Sequence, residues 1–218
     1  IDLDDLPDRG DKCRAGIVHR LDRDTTGVMV LAKSGLALWR LGRQFELRRV
    51  RKTYRAIVHG LLELDEDVID APIGAHRHIR ERYAVRYPSS KAGESISKPA
   101  ITRYRVLERL SHAGSIAGGF TFVELYPKTG RTHQIRVHLS YIKHPVVADD
   151  MYGGKLVYPW QLQDAEPVPQ DPIITRCALH ASTLQFKHPT TGQTVKFEAP
   201  LPQDMQTLLD MLRKYRRT

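Results

Sequence analysis

The sequence predicts an α+β fold: a mixed, largely antiparallel central sheet flanked by helices and loops. Three observations carry this expectation. Short segments with strand-like alternation recur along the chain and are separated by glycine-bearing turns, which is the pattern of hairpins. Apolar residues fall at helical spacing in only a few stretches. No internal repeat or low-complexity tract is present, so the chain reads as strands joined mostly to one another, with helices packed on them.

Taken in order, residues 1 to 12 are acidic and proline-containing and read as an arm or loop. The apolar run Val28 to Ala32 follows a polar turn and reads as a strand. Leu38, Leu41 and Phe45 recur at helical spacing with Arg40, Arg43 and Arg48 between them, which predicts an amphipathic helix over residues 35 to 48. Tyr54, Ala56 and Val58 alternate with Arg55, Ile57 and His59 in a strand ended by Gly60. Residues 76 to 98 turn basic and polar with Tyr83, Val85 and Tyr87 alternating inside them, as in a protruding hairpin that faces solvent or a partner rather than the core. Residues 100 to 109 and 120 to 126 make two more strands about a turn through Gly114, Gly118 and Gly119. Thr132 is placed to cap a helix in which Ile135, Leu139 and Ile142 share a face, and Pro145 requires that helix to end near His144. After a loop from residue 152 to 173, segments 178 to 187 and 193 to 198 pair about Thr190-Thr191-Gly192. A last helix buries Met205, Leu208, Leu209 and Leu212.

With 218 residues, 41% of them hydrophobic, the chain can bury one sizeable core and reads as one domain. Lys and Arg number 34 against 25 Asp and Glu, a formal charge of +9 that favours a polyanionic partner. The cations cluster: Arg48, Arg49, Arg51 and Lys52; Arg77, Arg80, Arg82 and Arg86; and Arg213, Lys214, Arg216 and Arg217. Cys13 and Cys177 are far apart and show neither a disulfide framework nor a thiolate zinc spacing, which fits the cytoplasm. No apolar run approaches the roughly 20 residues of a membrane span, and no membrane association is expected.

The segment His19-Arg20-Leu21-Asp22-Arg23-Asp24-Thr25-Thr26-Gly27 places a carboxylate between two arginines, in a turn at the mouth of an apolar run. A loop carried on a rigid scaffold is where reactive groups concentrate, although Asp and Thr there also serve as caps. A second segment, Lys128-Thr129-Gly130-Arg131-Thr132-His133-Gln134-Ile135-Arg136-Val137-His138-Leu139, follows a strand. On the helix reading Arg136 lies one turn from His133, so both can face a cleft from the helix N-terminus, where the dipole favours negative charge. A third, Lys52 to Gly60, contains the strand with Tyr54.

Together these three segments resemble the signature motifs of the RluA family of RNA pseudouridine synthases, and the likeness runs from about Arg14 to Met205. Within the family, Arg14-Ala15-Gly16-Ile17-Val18 and the proline-flanked segment Pro200-Leu201-Pro202-Gln203-Asp204-Met205 resemble the D-type branch, which acts on large-subunit ribosomal RNA, more than the C-type branch. The resemblance implies a catalytic domain with its active site in a basic central cleft, isomerising uridine to pseudouridine. Asp22 matches the catalytic aspartate, acting at ribose C1′ or C2′. Arg136 matches the arginine that pairs with it, able to hold the carboxylate ionised and aimed. Ile135 matches the apolar residue that packs on the base, and Tyr54 the tyrosine that stacks on the uracil and helps take the proton from its C5. Arg20 matches the arginine that fills the RNA stack after the base flips, a role that suits a planar guanidinium. His133 is expected to bind substrate, His19 to anchor its loop, and Asp24 to cap or pair with an arginine.

This chemistry needs no metal and no cofactor. The expected partner is RNA, in particular large-subunit ribosomal RNA or its precursor, with transfer RNA as the alternative, and the chain is expected to act as a monomer. Relative to the family, an upstream Asn-Lys-Pro segment and any N-terminal RNA-binding domain are expected to be missing. Three rivals remain open on the residues alone. A metal nuclease would use Asp22 and Asp24, but arginines crowd both motifs and would repel a cation. A glycoside hydrolase needs two carboxylates flanking its substrate, which an i, i+2 pair in one loop does not readily supply. A non-catalytic RNA-binding module would explain the charge without needing Asp22.

Overall fold

The computed structural model describes residue 7 and residues 15–88, 97–111, 118–163 and 165–216. Its centre is a seven-stranded sheet. In chain order the strands are β1 (Thr26–Gly27), β2 (Arg51–His59), β3 (Glu66–Asp70), β6 (Ile101–Leu110), β7 (Phe120–Pro127), β8 (Leu179–Lys187) and β9 (Thr194–Glu198); β4 (Ile73–Ala75) and β5 (Tyr83–Val85) form a separate small hairpin. The large sheet runs β1-β8-β2-β7-β6-β3, and β9 pairs with β8 beyond β1. Its pairs are antiparallel except β1 on β8. The mixed, largely antiparallel sheet expected from the sequence is therefore present.

Helices α2 (Gln134–Tyr141) and α4 (Gln203–Arg216) pack on one face of this sheet. The main core joins Ala56 and Val58 of β2 and Val123 and Leu125 of β7 to Ile135 and Leu139 of α2 and to Met205, Leu208, Leu209 and Leu212 of α4. Each of these Val, Ile, Leu and Met side chains contributes about 1.5–3 kcal/mol by leaving water. A second cluster sets Leu38 and Leu41 of α1 (Gly35–Glu46) against Leu184 and Phe186 of β8, with Phe45, Val28 and Val30 at its margin. Ser34 caps α1 by accepting from the Ala37 amide.

Several local expectations are corrected. Val28 to Ala32 do not form a strand. Only Ile17 and Leu31 make an isolated bridge there, and the side chains of Val28 and Val30 pack toward α1. Thr132 does not cap α2: His133 holds that position in the left-handed region at φ 53°, with no side-chain cap, and the helix ends at Tyr141. The basic hairpin is less free than expected, because β5 pairs with β4 while Tyr83 and Val85 pack on the cluster around Val137 and Tyr152. The loop from 152 to 173 contains a short helix, α3 (Pro159–Leu162). The acidic arm lies outside the described residues apart from Pro7, as do Gly114 and Cys13.

Candidate active site

Asp22 sits in the loop just before β1, and the glycine of its motif explains how that loop is held. Gly27 has φ 123°, and a Cβ there would lie 2.2 Å from the Ala181 carbonyl oxygen, so β1 lies against β8 only because position 27 carries no side chain. His180 of β8 fastens the same junction. Its Nε2 lies 3.2 Å from the Ala199 carbonyl, which can only accept, so Nδ1 accepts from the Thr26 hydroxyl at 2.9 Å. On the other side His19 Nε2 accepts from the Val30 amide at 3.1 Å and its ring stacks on Phe45. Burial first, then the nearby Lys52 charge, pushes the His19 ring down to about 4, so it is a neutral anchor at neutral pH. Asp24 pairs with exposed Arg23 at 3.7 Å.

The second motif divides its labour between structure and site. Gln134 and His138 are buried and satisfied: Gln134 binds Thr129, Arg131, Ile101 and Thr102, while His138 bridges Thr102 and the Ala71 carbonyl. They lock the loop of residues 128–133 and helix α2 onto β6. Their neighbours His133, Ile135 and Arg136 then point into a pocket of about 170 Å³ that Arg20, Asp22 and Tyr54 also line. All six residues singled out from the sequence thus line one cavity.

Inside it, Arg136 Nη1 is 3.5 Å from Asp22 Oδ2, and His133 Nε2 is 4.0 Å from Asp22 Oδ1. Burial pushes the His133 ring down, and the Asp22 charge opposes that shift without cancelling it. Tyr54 stands beside a bulge, where Ser182 is the extra residue of β8 between the pairs Thr53–Thr183 and Tyr54–Ala181. Burial, then Asp22, raises its phenol to about 12, so it is protonated at neutral pH. Ile135 is buried in the main core with part of its surface at the pocket wall, and Arg20 is exposed at the rim.

Three features escaped the sequence reading. Asp149 accepts a two-pronged hydrogen bond from Arg136, and the Tyr152 ring lies 4.9 Å from the Arg136 guanidinium carbon. The acid that directly follows the apolar run Pro145 to Ala148 was the available signal, since a buried carboxylate there must have a partner. The third is a groove of about 940 Å³ whose walls hold Arg48, Arg51, Lys52 and Lys128, together with Arg103, Arg105 and Lys196, which are paired with Glu66, Glu124 and Glu198 in the same walls. It gives the first cationic cluster a setting beside the pocket, with Lys52 in both walls. Of the last cluster, Arg213 is engaged by Glu108 and Asp210. Among the described residues no group of three or more His, Cys, Asp or Glu could hold a metal ion. No helix among them is long and apolar enough to cross a membrane.

Comparison with known proteins gives a consistent answer. Residues 2–141 match the family described as RNA pseudouridylate synthase. The chain is 42% identical over 214 residues to a protein of Vibrio parahaemolyticus named ribosomal large subunit pseudouridine synthase D, covering 97% of this chain and 60% of that one. It is 43% identical over 217 residues to the protein of the same name in Pseudomonas aeruginosa, covering 97% and 61%. It therefore spans about three fifths of the length of these relatives. Among solved structures it is similar to human RNA pseudouridylate synthase domain containing 1, with a TM-score of 0.64 and 30% identity over 90% of this chain and 79% of that one. Human RNA pseudouridylate synthase domain containing 4 gives a TM-score of 0.68 and 27% identity over 94% and 78%.

Proposed function

The chain belongs to the RNA pseudouridylate synthase family, and from that premise we propose that it isomerises uridines of large-subunit ribosomal RNA to pseudouridine, with Asp22 as the catalytic carboxylate. The observation that carries this reading is the meeting of Asp22, Arg136, His133 and Tyr54 in one pocket, built by three segments distant in sequence. The substrate assignment is supported by the names of the Vibrio and Pseudomonas relatives.

The reaction breaks the bond from ribose C1′ to N1 of the base, turns the base, and joins C1′ to C5. The proton leaves C5 and N1 gains one, so no oxidant, water or group donor is consumed. Asp22 serves by adding to C1′ or by taking the C2′ proton; either requires an ionised carboxylate with an open oxygen. Arg136 faces it with one guanidinium nitrogen and orients it. Ile135 and Tyr54 form walls that retain the detached uracil. A protonated phenol can stack and donate but is a poor base, so Tyr54 acts on the base chiefly by stacking and hydrogen bonding. Arg20, at the rim, occupies the gap left in the RNA stack. The basic groove binds phosphates of the flanking strand.

In this reading the 218 residues are one catalytic unit, acting in the cytoplasm as a monomer and without metal or cofactor. Mapping pseudouridine in ribosomal and transfer RNA from cells with and without the gene tests it. Loss of specific large-subunit sites is expected; loss confined to transfer RNA would overturn the substrate, and no loss in either would overturn the activity.

A further inference from the structure

Arg136 faces two carboxylates and does not treat them alike. Its Nε donates to Asp149 Oδ2 and its Nη2 to Asp149 Oδ1, both at 2.7 Å, between side chains that are 7% and 0% exposed. Only Nη1 remains for Asp22, at 3.5 Å. The Tyr152 ring lies against the guanidinium, and the Tyr152 hydroxyl is itself fixed by the Tyr83 amide at 3.1 Å and His133 Nδ1 at 2.8 Å. We infer that Asp149, together with the Tyr152 ring, is a positioning clamp that turns Arg136 so that a single nitrogen meets Asp22 and the Asp22 carboxylate stays open toward the ribose. This rests on the proposed role of Asp22.

The alternative arrangement shows why the clamp matters. Were the two-pronged pair made with Asp22, both of its oxygens would be engaged in charge-assisted hydrogen bonds, and reaching the sugar would require breaking them. A fully buried Asp149 cannot be left unpaired, so it draws the fork to itself. The same charge pays for keeping Arg136 in a buried site: burial opposes the guanidinium charge, and the hydrogen bonds and charge of Asp149 outweigh it, holding Arg136 above the usual arginine range.

The turn that presents Asp149 is built for that purpose. Ala148 adopts a left-handed conformation at φ 57°, and the Asp149 carbonyl accepts from the amides of Tyr152 and Gly154. At Gly154 a Cβ would lie 1.7 Å from the Val146 carbonyl oxygen, so only glycine closes this turn. On the side of Arg136 away from Asp22 is a cavity of about 330 Å³, with Arg136, Asp149 and Cys177 in its wall and both signs of charge at its margin, Arg23 and Arg176 with Asp24 and Asp150; its volume exceeds that of formate.

The test uses the whole chain on a uridine-containing large-subunit stem-loop, with single-turnover rate, RNA affinity and thermal midpoint read for each variant. Asp149→Asn should slow the single-turnover step by about 100-fold, the scale of a misplaced catalytic group, with RNA Kd within about threefold of the parent. In Asp149→Ala, added formate should recover about tenfold of the lost rate by re-pairing Arg136 from the rear cavity, and should do nothing for Leu208→Ala, a core variant that lines neither the pocket nor the rear cavity. Tyr152→Leu, which keeps the carboxylate, should slow the step by about tenfold at unchanged Kd, and decides the matter if the Asp149 variants do not fold. Wild-type rates in Asp149→Asn or Tyr152→Leu, or a loss that Leu208→Ala reproduces and formate leaves unchanged, would overturn the clamp. A parent protein that forms no pseudouridine would instead overturn the proposed function.

Discussion

His19 takes the Val30 amide on Nε2 at 3.1 Å, closing the loop that carries Asp22 from one residue on its near side to another on its far side. The acceptor nitrogen must be unprotonated, and burial followed by the Lys52 charge holds the ring at about 4 against 6.5 for a free histidine. Because the folded pKa is the lower one, the unfolded chain binds the proton first. The stabilisation is full above pH 6.5 and is lost as pH falls through 6.5 toward 4, at most about 3 kcal/mol. Burial pushes His133, His138 and His180 in the same direction. Urea unfolding between pH 7 and 4 should therefore show falling stability, with a shallower slope in His19→Gln. Parallel slopes in the two proteins would contradict the anchor.

Tyr54, raised to about 12, is about five units from ionising at neutral pH, a cost of roughly 7 kcal/mol if a phenolate were required. Tyr54→Phe keeps the ring and should lower the single-turnover rate by about 10- to 100-fold while leaving RNA Kd within about threefold. Tyr54→Ala should lose more, because the wall against the uracil goes as well. A parent rate that climbs steadily from pH 8 to 10, with no such climb in Tyr54→Phe, would mean that the phenolate is the base.

The hairpin cations Arg77, Arg80 and Arg82 bear on affinity rather than chemistry. Replacing all three with Gln should flatten the slope of log affinity against log salt by about 2, at roughly 0.7–0.9 per lost phosphate contact. Arg82 also lies 5.6 Å from the Tyr152 ring, so part of its cost falls on the protein itself. A slope equal to that of the parent would place the RNA elsewhere.

Arg20 stands exposed at the pocket rim, where a guanidinium plane can fill a vacated base position. Arg20→Ala should slow turnover far more on a structured stem-loop than on a flexible strand, where opening costs less of the few kcal/mol of unstacking. Arg20→Lys should rescue poorly. A fluorescent base analogue beside the target, read with single-turnover rates, checks both. Equal losses on the two RNAs, or full rescue by lysine, would make Arg20 an ordinary positive charge.

The parts of the fold legible in the sequence were those with a strong period or a fixed turn. Met205, Leu208, Leu209 and Leu212 repeat at helical spacing and are all buried in α4. Thr190-Thr191-Gly192 joins β8 to β9, with Gly192 at φ 72°. Strand β3 left no comparable trace, because in Glu66–Asp70 only Ile69 is buried. The run after Gly27 misled because its side chains pack on α1 while its backbone finds single bonds, Val28 to the Ala181 carbonyl and Val30 to His19. The same limit applies to the site. Asp22, Tyr54, His133, Ile135 and Arg136 were legible through local motifs, whereas Asp149 reaches Arg136 from a non-periodic loop. The left-handed His133 had no visible signature either: Thr132 is the better cap by residue type, but the chain turns one residue later.

Asp22 is the group on which the proposed isomerisation depends. Asp22→Asn removes the charge with little change of shape, and the half-buried side chain has no role in the core. The decisive measurement is tritium release from a large-subunit stem-loop labelled at C5 of uridine, at saturating enzyme, alongside RNA affinity and thermal midpoint. Asp22→Asn should give no detectable release, with RNA Kd within about threefold of the parent and the fold intact. Substantial tritium release by this variant would contradict that dependence.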